Sequence, residues 1–440
     1  MKRFIAILAV MVSLFGLGGC SLMDSSIDNL LKTPRPNKVQ TRLRTAIDGA
    51  LGSKIKYLSP SSGTYRTSLL QVDLNQTGSK ETVLFFFPSA DAEVAQVALF
   101  EEKEDGSWGL TKQIQGASNA IDYVEFADCN ADGNLDILIG WIRGDSAREL
   151  FVYDLFAAGD GVLYTDGYNE SRFFTDNGVP LVFSASFDKA QGVGLAKLVT
   201  LGENGFLAPA LTCPIDAHFQ AVNNISYARI SSERRAFIFD AKNDNNATTQ
   251  LLFYDGNALT NPYYGEELHS AFVRETSLIS QDIDKDGIIE FPASDMMPFS
   301  SLVTLSPATL TSWSAHNPAS LSNGEEAPLL YEFSCILNSP LGYYYIYPAE
   351  WQGRVAVHTA SDRSLVYYHI DPNTGESTLL FTIARLSVDE YTKRINTGTW
   401  YQLYRDGDRV YAIDFAQNLS PALKLLVGTV DDNRARLILY

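Results

Sequence analysis

The sequence predicts a mainly β protein: a β-propeller of about five four-stranded blades carrying DxDxDG calcium loops, followed by a small α+β C-terminal domain. Three observations predict it. An aspartate-rich loop, Asp128-Cys129-Asn130-Ala131-Asp132-Gly133-Asn134-Leu135-Asp136, recurs as Asp282 to Glu290 and, in worn form, as Asp73 to Glu81. Turn positions at 73, 128, 176, 231 and 282 step along the chain by 55, 48, 55 and 51 residues. A second landmark keeps pace with them, an apolar strand followed by a tight turn: Val97–Phe100 before Asp105-Gly106, Leu150–Tyr153 before Gly159-Asp160-Gly161, Leu198–Leu201 before Asn204-Gly205, Leu251–Tyr254 before Asp255-Gly256, and Leu302–Leu305 before Ser306-Pro307. Aspartate–glycine and asparagine–glycine pairs supply the positive φ that a tight hairpin demands. Two markers in step at about fifty residues describe an array of four-stranded units. A sandwich with irregular loops is the alternative.

In chain order, Lys2-Arg3 precede an apolar run from Phe4 to Phe15 and then Leu17-Gly18-Gly19-Cys20. This reads as a secretion signal over residues 1–19 that ends in small residues. It resembles the bacterial lipobox, and the resemblance implies that Cys20 is acylated and becomes the new N-terminus. Residues 20–36 are polar, proline-bearing and aperiodic, the texture of a tether. No other run approaches the ~20 apolar residues that span a bilayer. The expected address is therefore extracytoplasmic, with the protein held at the cell membrane by lipid.

Composition fits that address. A formal charge of −18 argues against nucleic acid and against an anionic lipid face as partners. With 45% hydrophobic residues there is ample material for a core. Beyond Cys20 the cysteines are Cys129, Cys213 and Cys335, an odd and sparse set that reads as buried thiols rather than a disulfide framework.

A helix is expected over 37–52, with Asn37 as N-cap, Val39, Leu43, Ala46, Ile47, Ala50 and Leu51 on one face, and Gly52 at its end. The propeller is placed at 60–318. A polar stretch from Asn317 to Glu326 reads as a linker, and 327–440 as the α+β domain. Its expected strands include Gly342–Pro348, Arg354–Val357, Leu365–Ile370 and Leu379–Ile383, with a helix opened by the capping pair Ser387 and Glu390.

The loops carry the clearest chemistry. Oxygen ligands at positions 1, 3, 5 and 9, with glycine at 6 for the sharp turn, suit a hard cation that needs several oxygens at about 2.3–2.6 Å. An EF-hand needs a carboxylate at position 12, where the first loop has Ile139. The expected ligands are Asp128, Asn130, Asp132, Asn134 and Asp136, and Asp282, Asp284, Asp286, Ile288 and Glu290; Asp73, Asn75, Thr77, Ser79 and Glu81 form a weaker set. These loops, entering a strand such as Asp136-Ile137-Leu138-Ile139-Gly140, resemble FG-GAP/VCBS-type repeats of integrin-like propellers and bacterial surface proteins. The resemblance implies a structural Ca²⁺ between the first two strands of a blade. The segments Leu31–Pro36 and Ser62–Arg66 also resemble lipoproteins of Gram-positive gut-type bacteria.

No catalytic residue is expected. The five histidines are scattered, and there is no Gly-x-Ser-x-Gly, His-Glu-x-x-His or phosphate-cradling glycine loop. The reading is a non-enzymatic, calcium-binding scaffold lipoprotein, with a cell-surface protein or glycan as candidate partner and an undetermined oligomeric state. Two alternatives stay open, a propeller-type glycan-active hydrolase and an adhesin using Arg143-Gly144-Asp145-Ser146. Some of the tyrosines at 343–347 are candidates for a sugar-stacking platform, with core packing as the competing use.

Overall fold

The computed structural model describes residues 38–144, 147–202, 207–244, 246–265, 272–274, 278–298, 306–321 and 327–439. Cys20, the tether, Asn37, Leu302–Leu305 and Asp145 lie outside them. Among the described residues the chain is a succession of antiparallel sheets, six in all. It divides into two compact units, one of Met1–Ala127, Asp132–Ser146 and Phe151–Leu163, the other of Asp128–Ala131, Ala147–Leu150 and Tyr164–Tyr440.

The first unit opens with a helix, Lys38–Leu51. Gly52, at φ 84°, ends it, since a left-handed residue after the last turn stops propagation at no steric cost to glycine. Leu43 and Ile47 pack on Leu84, Phe86, Phe100 and Trp108. Val39, expected on the same face, stays 36% exposed. The first sheet contains Lys56–Tyr57, Leu69–Val72, Glu81–Phe87, Gln96–Glu102 and Trp108–Gln115. Every residue of Glu81–Phe87 is buried, so both its faces are covered, which is why it reads as a continuous apolar run rather than an alternating one.

The second sheet orders Ala120–Ala127, Asp136–Arg143, Ala147–Tyr153 and Val162–Tyr168. The third orders Glu170–Asp176, Val179–Asp188, Val193–Thr200 and Leu211–Asp216. The fourth orders Ala221–Arg229, Arg235–Lys242, Ala247–Tyr254 and Leu259–Thr260, with Val273–Arg274 also paired to Ala247–Tyr254. Phe183 and Phe237 stack at 5.1 Å in a common core. Each expected turn at 73, 128, 176 and 231 joins the first two long strands of its sheet.

A buried ion pair links two strands of the fourth sheet, Arg235–Lys242 and Val273–Arg274. Arg274 Nη2 donates to Asp240 Oδ1 at 2.9 Å, both side chains being essentially inaccessible. Arg274 also donates to Thr249 Oγ1 and to the Leu278 carbonyl, while Ser280 N and Oγ donate to Asp240. A charge pair this deep stands only because its remaining donors and acceptors are satisfied.

The expected boundary between 318 and 327 falls inside a sheet. Leu310–His316 pairs with Leu329–Asn338, in a fifth sheet that also holds Phe291–Asp295, Tyr343–Tyr347 and Leu437–Leu439. The sixth sheet likewise joins Ser306–Pro307 to Val355–Thr359. The polar stretch after Asn317 therefore connects two paired strands; serine, asparagine and glycine serve a strand connection as readily as a linker. One core unites Met297 and Leu310 with Tyr345, Trp351, Tyr367 and Phe381. Tyr343, Tyr344, Tyr345 and Tyr347 are all at most 3% exposed, which removes the sugar-platform reading. The helix Val388–Ile395 carries the expected capping box of Ser387 and Glu390. Two further helices, Pro421–Val427 and Val430–Arg436, were not expected. Cys129, Cys213 and Cys335 are buried.

Candidate functional sites

The three aspartate-rich loops share one backbone path. At position 4, Gln76, Ala131 and Lys285 all have left-handed φ, at 54°, 57° and 68°, and at position 6 Gly78, Gly133 and Gly287 lie at 89°, 89° and 90°. The position-9 carboxylates Glu81, Asp136 and Glu290 are buried, at 4%, 1% and 1% exposure.

Their side chains differ. In the 73 loop the protein supplies its own donors. Glu81 Oε2 accepts from Leu74 N at 2.7 Å, its Oε1 accepts from Asn75 Nδ2 at 2.9 Å, and Asn75 Oδ1 accepts from the Thr77 hydroxyl at 2.6 Å. Asp73 accepts from Thr77 N and Gly78 N, and Ser79 is exposed. In the 282 loop, ligand atoms of Asp282, Asp284 and Glu290 lie within 4.8 Å of one another. Asp282 Oδ1 is buried without a hydrogen-bond partner. Asp286 Oδ1 accepts from Ile288 N at 2.7 Å, and Glu290 Oε2 from Ile283 N at 2.9 Å. Burial, then the charges of Asp284, Glu332 and Asp286, push the Glu290 carboxyl up to about 8. Glu332 is raised too, by burial and by Asp284 and Asp286; this fifth carboxylate comes from the strand Leu329–Asn338, too far along the chain for spacing to reveal it. An orphaned buried carboxylate oxygen among crowded acids fits a hard cation. The unit division passes through the 128 loop: Asp128 and Asn130 belong to one unit, Asp132, Asn134 and Asp136 to the other. There Asp132 Oδ1 accepts from Asn134 N at 2.7 Å.

A different pair escaped the sequence reading. Asp216, the last residue of Leu211–Asp216, accepts from the His218 ring: Nδ1 to Oδ1 is 2.6 Å. The same oxygen accepts from His218 N at 3.0 Å, so the aspartate and histidine are locked in one tight turn. Gln250, itself buried, clamps the turn from the next sheet: Asp216 N donates to its Oε1 at 2.8 Å and its Nε2 donates to Asp216 O at 2.8 Å. The imidazole lies across Gly192, whose φ is 66°; a Cβ there would come within 2.0 Å of Cε1 and Nε2. The imidazole occupies the space that a side chain at 192 would take. The pair faces a cavity of about 280 Å³ lined also by Gln191, Val193 and Tyr264. An ionised aspartate on Nδ1 fixes the tautomer that leaves the Nε2 lone pair to accept a proton. Asp-x-His is too short a signal to find in a sequence, and Gly192 is 26 residues from His218.

No family model matches the sequence, and no curated protein matches it. Among solved structures the chain is similar to a Lactobacillus plantarum protein at 11% identity, covering 73% of this chain and 85% of that one with a TM-score of 0.28. A periplasmic gluconolactonase of Pseudomonas aeruginosa matches at 10% identity, over 73% and 86% of the two chains, with a TM-score of 0.28. A Bacteroides fragilis protein, proposed to be a 6-phosphogluconolactonase, matches at 11% identity over 73% and 83%, with a TM-score of 0.24. Overlays at these scores transfer no activity by themselves. The expectation of a non-enzymatic calcium-binding scaffold is corrected on the chain's own residues: it holds a histidine oriented by an aspartate at a cavity wall, which the sequence reading passed over.

Proposed function

We propose that the protein is a hydrolase of an ester or lactone, with His218 as general base and Asp216 as the residue that positions it. The observation that carries this is the 2.6 Å contact between His218 Nδ1 and Asp216 Oδ1 at the wall of a cavity. His218 Nε2 takes a proton from water as the water oxygen bonds to the carbonyl carbon, and the carbonyl electron pair moves to oxygen. When that pair returns, the C–O bond breaks and the departing alkoxide takes the proton back from the imidazolium. Gln191 and Tyr264, on the same cavity, are the side chains available to the developing oxyanion. A carbonyl ester suits a single general base. Glycoside cleavage calls for two carboxylates flanking the bond; among the described residues Asp216 is the one carboxylate lining this cavity, and it is committed to His218.

The test is kcat/KM on a panel of aryl esters and aldonolactones. His218→Gln should lower it by about 10²–10⁴-fold, and Asp216→Asn should lower kcat with little change in KM. A panel without turnover by the wild-type protein, or full activity in His218→Gln, overturns the reading.

Two expectations join this proposal. The sheets are blades of a propeller, and a structural Ca²⁺ is held by Asp282, Asp284, Asp286 and Glu290, clamping the turn by neutralising its acids. The supporting observation is the orphaned Asp282 Oδ1. The protein is tethered to the membrane through acylated Cys20, supported by the Leu17-Gly18-Gly19-Cys20 sequence. Two acyl chains anchor stably where one binds marginally, so Cys20→Ser should move the protein from the membrane fraction to the soluble one; a processed, membrane-bound mutant sinks the anchor.

A further inference from the structure

A cavity of about 600 Å³ lies where the turn after Asp176 and the turn Ser231–Arg235 meet. Both belong to the same unit. Its volume is in the range of small-molecule sites. Three arginines, Arg229, Arg234 and Arg235, line it, a concentration of positive charge in a chain whose formal charge is −18.

The three guanidinium groups are differently engaged. Arg235 is spoken for: it pairs with Asp176 at 3.2 Å and lies over the Tyr227 ring, 5.7 Å from its centroid. Tyr227 in turn donates its hydroxyl to Asp176 Oδ2 at 3.1 Å. Burial, with Asp176 beside it, pushes that hydroxyl up to about 12, so it stays a donor. Arg229 donates to the Ser232 carbonyl at 3.0 Å, and Arg234 lies over Phe253, 5.3 Å from its centroid. Among the described residues neither Arg229 nor Arg234 pairs with a carboxylate. Stacking on a ring holds a guanidinium plane still while leaving its N–H edges open to a planar anion.

The remaining lining decides which anion. Asp176, Glu233 and Asp255 share the wall with the arginines. They would repel a phosphate dianion but accept hydrogen bonds from hydroxyl groups. Tyr227, Phe253 and Tyr254 present ring surface, which suits the C–H face of a sugar. We infer that this cavity binds a carboxylated sugar of the uronic-acid type, its carboxylate taken by Arg229 and Arg234 and its hydroxyls by the neighbouring acids. This site is separate from the one built on His218 and does not rest on it.

The test is calorimetric titration of the intact protein with an oligogalacturonide, the equivalent neutral galactose oligomer and inorganic phosphate. The oligogalacturonide should bind at least about tenfold more tightly than the other two, as expected for recognition by charge-assisted bidentate contacts. Arg229→Ala and Arg234→Ala should each weaken it by about tenfold or more with unchanged circular dichroism, and Arg229→Lys, which keeps the charge but loses the fork, by less. His218→Gln should bind as the wild type does. Equal affinity for the neutral oligomer or for phosphate, binding untouched by the alanine variants, or no binding of the oligogalacturonide overturns the inference.

Discussion

The 73 and 282 loops run the same backbone path and reach opposite electrostatic outcomes. Both place a left-handed residue at position 4, a glycine near φ 90° at position 6 and a buried glutamate at position 9. In the 73 loop, Asn75 and Thr77 stand where the other loop has acids, and their amide and hydroxyl groups hydrogen-bond within the turn. In the 282 loop those positions are Asp284 and Asp286, and the result is an orphaned oxygen and a Glu290 pushed up to about 8. The turn itself needs only the backbone pattern and the acceptor at position 9. What the side chains decide is whether the turn closes on itself or stands open for a cation.

The largest effect should come from calcium. At a hundredfold excess over its dissociation constant a ligand stabilises by about 2.7 kcal/mol. Asp282→Ala should abolish most of the calcium-dependent rise in Tm, and Asp73→Ala almost none of it. Equal effects, or a Tm indifferent to calcium, would erase the distinction between the loops.

A second measurement inverts the comparison by removing calcium with chelator. Glu81→Gln replaces an acceptor of two backbone N–H groups and an amide with a group that is half donor, so it should destabilise by about 2 kcal/mol. Glu290→Gln removes a carboxylate crowded by Asp284, Glu332 and Asp286, and should be neutral or stabilising in the chelated protein. The urea midpoint should therefore fall in Glu81→Gln and hold or rise in Glu290→Gln. A large loss in Glu290→Gln would mean that its charge is welcome without a cation.

The smallest effect must be separated from both. His316 is buried against Tyr263 and its ring is pushed down to about 4 by burial and by Arg234. Its neutral form is favoured in the fold, so its contribution is complete above about pH 6.5. That contribution is lost as the pH falls from about 6.5 towards 4. His316→Gln should flatten this part of the stability curve, and the loops are best compared above it. An unchanged acid limb in that variant would show that His316 is not its source.

Much of the β architecture was legible because it is written in local signals. Position-6 glycines, Asp-Gly turns and apolar runs such as Leu251-Leu252-Phe253-Tyr254 announce strands and hairpins within a few residues, and the turns at 73, 128, 176 and 231 fell where expected. The helix Lys38–Leu51 and the Ser387–Glu390 cap were legible for the same reason. The misplaced boundary at 318–327 had the opposite cause. Pairing between Leu310–His316 and Leu329–Asn338 depends on register across a connection, and a polar stretch says nothing of what its two ends touch. The candidate sites divide likewise. The 282 acids lie within nine residues, so spacing alone singles them out; Glu332, and the assembly of His218 with Asp216, Gln250 and Gly192, require strands brought together by folding.

The buried pair of Asp240 and Arg274 bears on how this sequence can drift over generations. Replacing either partner alone strands the other as an uncompensated charge, a loss of about 3–5 kcal/mol against the roughly 5–15 kcal/mol that keeps a domain folded. Lysine is no stepping stone for Arg274, because one ammonium cannot reproduce the planar fork that serves Asp240, Thr249 and the Leu278 carbonyl together. Lineages descending from this chain should therefore change positions 240 and 274 together or leave both alone.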